Sequence, residues 1–199
     1  MAIVDSGGAN IASLRYAFER LGVPARLTCD AFELRAAPRV VLPGVGAAGD
    51  AMQRLRALGL VDVLRGLTQP VLGICLGMQL LYESSAEDDV SCLGVIPGRV
   101  QRLDPAPGRP VPHMGWNRLR LTGSSPLTAG IPDGEHVYFV HGYAARSDPA
   151  SSLATCDYGG EFAAMVQRGN FFGAQFHPER SAGAGRRLLA NFLSLPAWS

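Results

Sequence analysis

Cys75 lies between two glycines, in Val71-Leu72-Gly73-Ile74-Cys75-Leu76-Gly77-Met78-Gln79. An apolar, strand-like run ends at this thiol and a helix-like run begins one residue later. A strand that turns sharply into a helix pushes the intervening side chain outward, and small neighbours make room for it. Backbone N–H groups at a helix start favour negative charge, and a cysteine pKa of about 8.5 falls in such places. The segment therefore reads as a seat for a nucleophilic thiolate. The competing reading is a buried core cysteine, a common fate of that residue.

A nucleophile needs a base and a place for negative charge to develop. His177 closes the apolar run Phe171–Phe176 and is followed by Pro178-Glu179. Proline fixes the backbone there, and Glu179 is near enough in sequence to orient the imidazole, as in a nucleophile–base–acid triad. A surface histidine beside an unrelated carboxylate is the alternative. Pro43-Gly44-Val45-Gly46 follows another strand-like run, Arg39–Leu42. Backbone N–H groups near Val45 or Gly46, with that of Leu76 just after the thiol, would form an oxyanion hole. Taken alone, the same residues make an ordinary glycine turn. They are not a phosphate loop, because no G-K-[ST] follows.

The elements that must position these residues can be read from periodicity. Short strands are expected at residues 2–4, 25–29, 39–42 and 71–74. Helices are expected at 10–21, 50–64 (despite Gly59) and 76–83. Strand alternating with helix argues for a parallel sheet covered on both faces. The second half changes character. Apolar runs at 99–103, 118–121, 137–140, 153–156, 162–166 and 171–176 are separated by Gly, Pro and Asp turns, and 161–176 reads as a hairpin about Arg168-Gly169-Asn170. A helix over 183–193 closes the chain. The expected fold is α/β, with a mixed, mostly parallel sheet flanked by helices and antiparallel additions in the second half.

Composition sets outer bounds. With 199 residues, 47% hydrophobic and 18% charged, the chain suits one domain with a sizeable core, over residues 1–199. A formal net charge of +1 gives no argument for nucleic acid or a membrane surface. The four cysteines, Cys29, Cys75, Cys92 and Cys156, form no C-x-x-C pair and no zinc spacing, so neither a metal nor a structural disulfide is expected. No cofactor is called for. The first residues lack a basic region followed by an apolar one, so no signal peptide is expected, and a cytoplasmic protein is the default.

Together, Pro43-Gly44-Val45-Gly46, Gly73-Ile74-Cys75-Leu76-Gly77-Met78-Gln79 and Phe176-His177-Pro178-Glu179 resemble, in order and spacing, the three motifs of class I (triad-type) glutamine amidotransferases. The resemblance implies a flavodoxin-like α/β fold. It implies that Cys75 attacks the glutamine carboxamide, that His177 moves the protons and that Glu179 orients it. A thioester forms and water then releases glutamate. Gln79 and the backbone of Gly142 and Tyr143 would hold glutamine.

Further segments narrow the resemblance to glutaminase subunits of imidazole glycerol phosphate synthases: Gly7–Ile11, Pro112–Asn117, Tyr138–Tyr143, Asn170–Gly173 and Arg187–Phe192. It covers nearly the full length and leaves no room for a fused synthase domain. The partner implied is a separate (β/α)8-barrel cyclase, in a heterodimer, that receives the ammonia for histidine biosynthesis. Asn10, Trp116, Tyr138 and Arg180 would lie on or near the partner-facing side. Without the resemblance, they read as a turn residue, two ordinary aromatics and a solvated arginine.

Ala48, Gly142, Ala144 and Arg180 depart from the expected family pattern. The weak activity of isolated subunits in this family further suggests a resting loop that points a carbonyl of the 43–46 segment at the oxyanion position. The runners-up are an amidotransferase of the anthranilate or aminodeoxychorismate synthase type, which the His113–Trp116 segment argues against, and a catalytically idle module, which the intact Cys75, His177 and Glu179 argue against.

Overall fold

The computed structural model describes residues 1–5, 7 and 11–196. Asn10 and the start of the first expected helix lie outside the described residues. The first half contains β1 (Ala2–Val4), α1 (Ile11–Glu19), β2 (Arg26–Thr28), α2 (Ala31–Ala36), β3 (Val40–Leu42), α3 (Ala48–Ala57), α4 (Val61–Arg65), β4 (Val71–Ile74) and a single turn, α5 (Leu76–Gln79). The second half contains β5 (Tyr82–Ser85), β6 (Val90–Ser91), β7 (Ile96–Arg102), β8 (His113–Arg118), β9 (Arg120–Leu121), β10 (His136–His141), β11 (Tyr143–Ala145), β12 (Ser152–Asp157), β13 (Glu161–Arg168), β14 (Phe171–Ala174) and α6 (Ala182–Ser194).

The main sheet has eight strands in the order β2-β1-β3-β4-β14-β13-β12-β9. Pairs from β2 through β14 are parallel, and those from β14 through β9 are antiparallel. This is the expected mixed sheet, and the expected hairpin is β13–β14. Strand residues alternate between two buried layers. Ile3, Val41, Leu72 and Phe172 face α1 and α6, through Phe18, Leu188 and Phe192. Val4, Val40, Val71 and Phe171 face the α3–α4 side, through Met52, Leu55 and Leu64. Two smaller sheets, β10-β8 and β11-β7-β5-β6, complete the fold.

The decisive feature for chemistry is that β3, β4 and β14 are adjacent and parallel, in the register Leu42–Gly73–Gly173. The three segments that follow them, residues 43–46, Cys75-Leu76 and Gln175–Glu179, therefore emerge together at one sheet edge. Ligands bind at that edge in open α/β sheets.

Three expectations need correction, and one helix was missed. The helix expected over 50–64 is two helices, because Gly59 adopts φ +68° and ends α3. The helix expected over 76–83 stops at Gln79. The main chain of Leu80 and Leu81 then bonds to Leu93, Val95 and Ile96, and β5 begins at Tyr82. The strand expected at 118–121 is broken at Leu119: Arg118 ends β8, Arg120-Leu121 form β9 of the main sheet, and the core-facing residues of β8, His113, Gly115 and Asn117, give no apolar alternation. Helix α2 was not expected, although Asp30 accepts the Glu33 N–H as an N-cap.

The glycines around Cys75 are required by packing. A Cβ on Gly77 would collide with the Leu42 carbonyl, and one on Gly73 would lie 2.7 Å from Gly77 O. The elbow after β4 thus packs backbone against backbone with the end of β3. Gly77→Ala is expected to cost more than about 3 kcal/mol of stability, since neither backbone can give way. Thermal unfolding of the purified variant measures this, and an unchanged midpoint would mean that the elbow has slack.

Candidate active site

Cys75 itself has φ 53° and ψ −113°. That conformation is strained for a residue with a side chain, by about 1–3 kcal/mol, and such strain persists only where the surroundings impose it. It is the geometry of a strand-to-helix elbow, which here turns a largely buried side chain toward the cavity. The helix beyond is only one turn, so its dipole contributes less than the sequence suggests. The sulfur instead meets individual polar groups. Sγ lies 3.7 Å from Val140 O and 3.8 Å from the Gln175 amide nitrogen, which donates to it.

His177 stands three residues beyond β14, at the start of a 3-10 turn over Pro178–Arg180. Its own N–H donates to Tyr138 O at 3.0 Å. Its Nδ1 lies 2.9 Å from Glu179 Oε1, with both side chains nearly buried. Burial alone would lower the imidazole pKa. Hydrogen bonds to Cys75 and Glu179, and their negative charge, outweigh burial and lift it from 6.5 to about 10. The three expected catalytic residues are thus brought together: the imidazole bonds to the Glu179 carboxylate, and all three side chains line one cavity.

A cavity of about 400 Å³ opens over them. Val45, Gly46, Leu76, Gln79, Gly142, Tyr143 and Arg180 all border it, together with Pro43, Gly44 and Val140. The Gln79 amide nitrogen donates to Tyr143 O at 2.8 Å and to Gln175 Oε1 at 3.0 Å. Residues of the expected partner-facing group also come together. Trp116 and Tyr138 pair across β8–β10 edge to face, with ring centroids 5.8 Å apart. The Arg180 guanidinium sits 4.3 Å over the Tyr138 ring. Trp116 is 53% exposed and Met114 63%, so the outer face of the β8–β10 ribbon is apolar and open.

Two residues of the site were missed by the sequence reading. Gln175, fully buried, bridges Gln79 and Cys75; a glutamine inside an apolar strand run is its only sequence signal. Glu87 borders the cavity with Oε2 accepting the Ala48 N–H at 2.9 Å, and partial burial raises its pKa despite that bond. In sequence it looks like part of a solvated acidic turn. Among the described residues no cluster of His, Cys, Asp and Glu could hold a metal ion, and no helix is long and apolar enough to cross a membrane.

Comparison with known proteins agrees with this geometry. The family profile "Glutamine amidotransferase class-I" matches residues 2–195. The chain belongs to the class-I glutamine amidotransferase family. It is 57% identical over 197 residues to the imidazole glycerol phosphate synthase subunit HisH of Xylella fastidiosa, covering 99% of this chain and 98% of that one. It is 58% identical over 195 residues to the protein of the same name in Xanthomonas axonopodis pv. citri, covering 98% and 97%. Solved structures share the amidotransferase fold at lower identity. One described as a glutamine amidotransferase superposes with TM-score 0.74 at 22% identity, covering 96% of each chain. A glutamine amidotransferase from Thermotoga maritima gives 0.66 at 18% identity, covering 96% of this chain and 81% of that one.

His177 also gives this amidotransferase site a pH dependence. Its folded pKa lies above the 6.5 of a free imidazole. The pairing therefore stabilises the fold fully below about pH 6.5, and the contribution is lost as pH rises through about 10. In Glu179→Gln, the His177 ring signal in NMR should titrate at a lower pH than in the parent protein. An unshifted midpoint would remove Glu179 from the triad.

Proposed function

We propose that this chain is the glutamine-hydrolysing subunit of an imidazole glycerol phosphate synthase, a single amidotransferase domain working in the cytoplasm. The observation that carries the chemistry is the convergence of Cys75, His177 and Glu179 on one cavity, with the imidazole bonded to the carboxylate. The close likeness to the two HisH proteins carries the assignment to this synthase.

The Cys75 thiolate attacks the carboxamide carbon of glutamine. Negative charge moves to the carboxamide oxygen, where the N–H of Leu76 and one from the Val45–Gly46 segment receive it. Collapse of the tetrahedral species breaks the C–N bond, and His177 gives its proton to the departing ammonia. The resulting thioester is attacked by water, whose proton His177 accepts. The C–S bond breaks, glutamate leaves with its carboxyl proton lost to solvent, and the thiolate with its protonated imidazole is restored. Glu179 holds the imidazole in the tautomer that presents Nε2 to sulfur and substrate.

The substrate is an α-amino acid, so its ammonium needs an acceptor in the cavity. Of the two carboxylates there, Glu179 is committed to His177, which leaves Glu87 for the ammonium. Gln79 and the backbone at Gly142 and Tyr143 border the rest of the substrate. Ammonia then passes to a (β/α)8-barrel cyclase docked on the outer face of the β8–β10 ribbon, where Trp116, Tyr138 and Arg180 meet it; Asn10 is assigned to the same side. No cofactor takes part.

Cys75→Ala is expected to abolish glutamine hydrolysis and labelling by a glutamine-analogue electrophile; persistent labelling at Cys29, Cys92 or Cys156 would overturn the assignment of the nucleophile. Glu87→Gln should raise the KM for glutamine roughly tenfold or more with a smaller change in kcat, since it removes a charged hydrogen bond worth about 1.5–3 kcal/mol. Addition of the barrel cyclase with its ligand should raise glutamine turnover by a factor of about 10²–10³, the worth of one oxyanion donor, if the partner completes the hole. A rate unaffected by the partner would rule out a resting loop with its donor turned away.

A further inference from the structure

Two buried histidines, His113 and His141, have no part in the triad. They face each other across β8 and β10, with His113 Nδ1 3.1 Å from His141 Nε2. His141 Nδ1 lies 2.8 Å from Tyr143 O, and the Asn117 amide nitrogen lies 3.4 Å from His113 Nε2. A carbonyl only accepts, so His141 must carry its proton on Nδ1. Its Nε2 is then bare and accepts from His113 Nδ1–H. The bare His113 Nε2 in turn accepts from Asn117. This single arrangement satisfies every ring nitrogen of both residues.

The rings are also fixed in place. His113 is stacked between Tyr158, with centroids 3.9 Å apart, and Phe139, at 4.9 Å, while His141 packs 5.0 Å from Phe162. Protonating either ring would put two N–H groups face to face. Consistently, burial lowers both pKa values to about 4, and for His141 the nearby His113 and His177 add to the effect, against the opposing bond to Tyr143.

Tyr143 O is the end of this chain and the start of another. The same oxygen accepts from Gln79, whose amide also reaches Gln175, which donates to Cys75 Sγ. We propose that His113 and His141 are positioning residues for glutamine: locked as neutral Nδ1–H tautomers, they hold the Tyr143 carbonyl, and through it the Gly142–Tyr143 backbone and Gln79, in the register that the amino-acid end of the substrate requires. The proposal rests on the glutaminase reading of the site. It adds a hydrogen-bonded support that runs from the partner-facing ribbon to the pocket.

The test compares two alkylators of Cys75 on the full chain. The diazoketone 6-diazo-5-oxo-L-norleucine must seat its amino-acid end in the pocket; iodoacetamide need not. In His141→Leu the diazoketone rate should fall about tenfold relative to the iodoacetamide rate. His141→Asn, whose Nδ2 stands where the ring Nδ1 stood, should recover most of the loss. His113→Leu should show a smaller loss, and His113→Asn should again recover it. Equal loss for both reagents, or failure of Asn to rescue, would make the pair merely structural and overturn the proposal. If the leucine variants do not fold, ring-nitrogen NMR of the parent protein decides. Both rings should be neutral Nδ1–H tautomers at pH 7, and an Nε2–H or charged form of either overturns the proposal. Failure of the glutaminase reading would look different, because the parent protein itself would not react preferentially with the diazoketone.

Discussion

The site depends on one close contact between main chains. Gly77 packs directly against the Leu42 carbonyl, so the chain leaving β4 has no room for a gradual turn. Cys75 takes the strain as φ 53°, and the sulfur is driven out over the sheet edge. The same approach sets Gly44, just past β3, against Leu76 and Gly77, which brings the candidate oxyanion loop to the elbow. β14, paired to the other side of β4, delivers His177. The proposed nucleophile, base and oxyanion donors are therefore set by the order of three strands and one backbone approach. Strain of this kind is tolerable in a fold whose two apolar layers hold the sheet rigid.

The fold was legible where the side-chain pattern is the cause of the structure. Val40–Leu42, Val71–Ile74 and the β13–β14 hairpin are buried apolar runs bounded by glycine, proline or asparagine, and they lie where periodicity puts them. The candidate residues Cys75, His177 and Glu179 were legible because elbow, histidine and acid are short local patterns, and the structure brings them to one cavity. β8 was not, because its inward face carries His113, Gly115 and Asn117 and gains its place from hydrogen bonds rather than apolar burial. The one-turn α5 was misread as a longer helix because Leu80 and Leu81 continue the apolar run while their main chain pairs with residues 93–96. Glu87 and Gln175 were invisible for a related reason. Their roles come from long-range proximity, to Ala48 and to Cys75, that local sequence does not encode.

Strand β10 joins the two faces of the molecule. Its outward side chains include Tyr138, which packs with Trp116 and carries Arg180 on its ring. Its backbone oxygens at Tyr138 and Val140 meet the His177 N–H and the Cys75 sulfur. Its last residue is His141. Ser181 adds a clasp, accepting the Tyr138 N–H and donating to His177 O. Any displacement of the outer face of this ribbon would move acceptors already bonded to Cys75 and His177. One strand with two differently used sides thus links the exposed ribbon to the site.

The oxyanion loop has less freedom than its two glycines suggest. A Cβ on Gly44 would lie 2.9 Å from Gly77 N and from the Leu76 side chain, so that residue is pinned to the elbow. At the other end, the carboxylates of Glu87 and Asp88 accept the N–H groups of Ala48 and Gly49, holding the first turn of α3. Gly46 lies in open space with φ +91°. With both ends fixed, the peptide between Val45 and Gly46 is the one with room to rotate, and glycine on its far side lowers the steric cost of doing so. Glu87 belongs to both problems, since it braces the loop and borders the substrate cavity. Its Oε2 accepts the Ala48 N–H while the same carboxylate borders the cavity, so one side chain ties the start of α3 to the rim of the pocket.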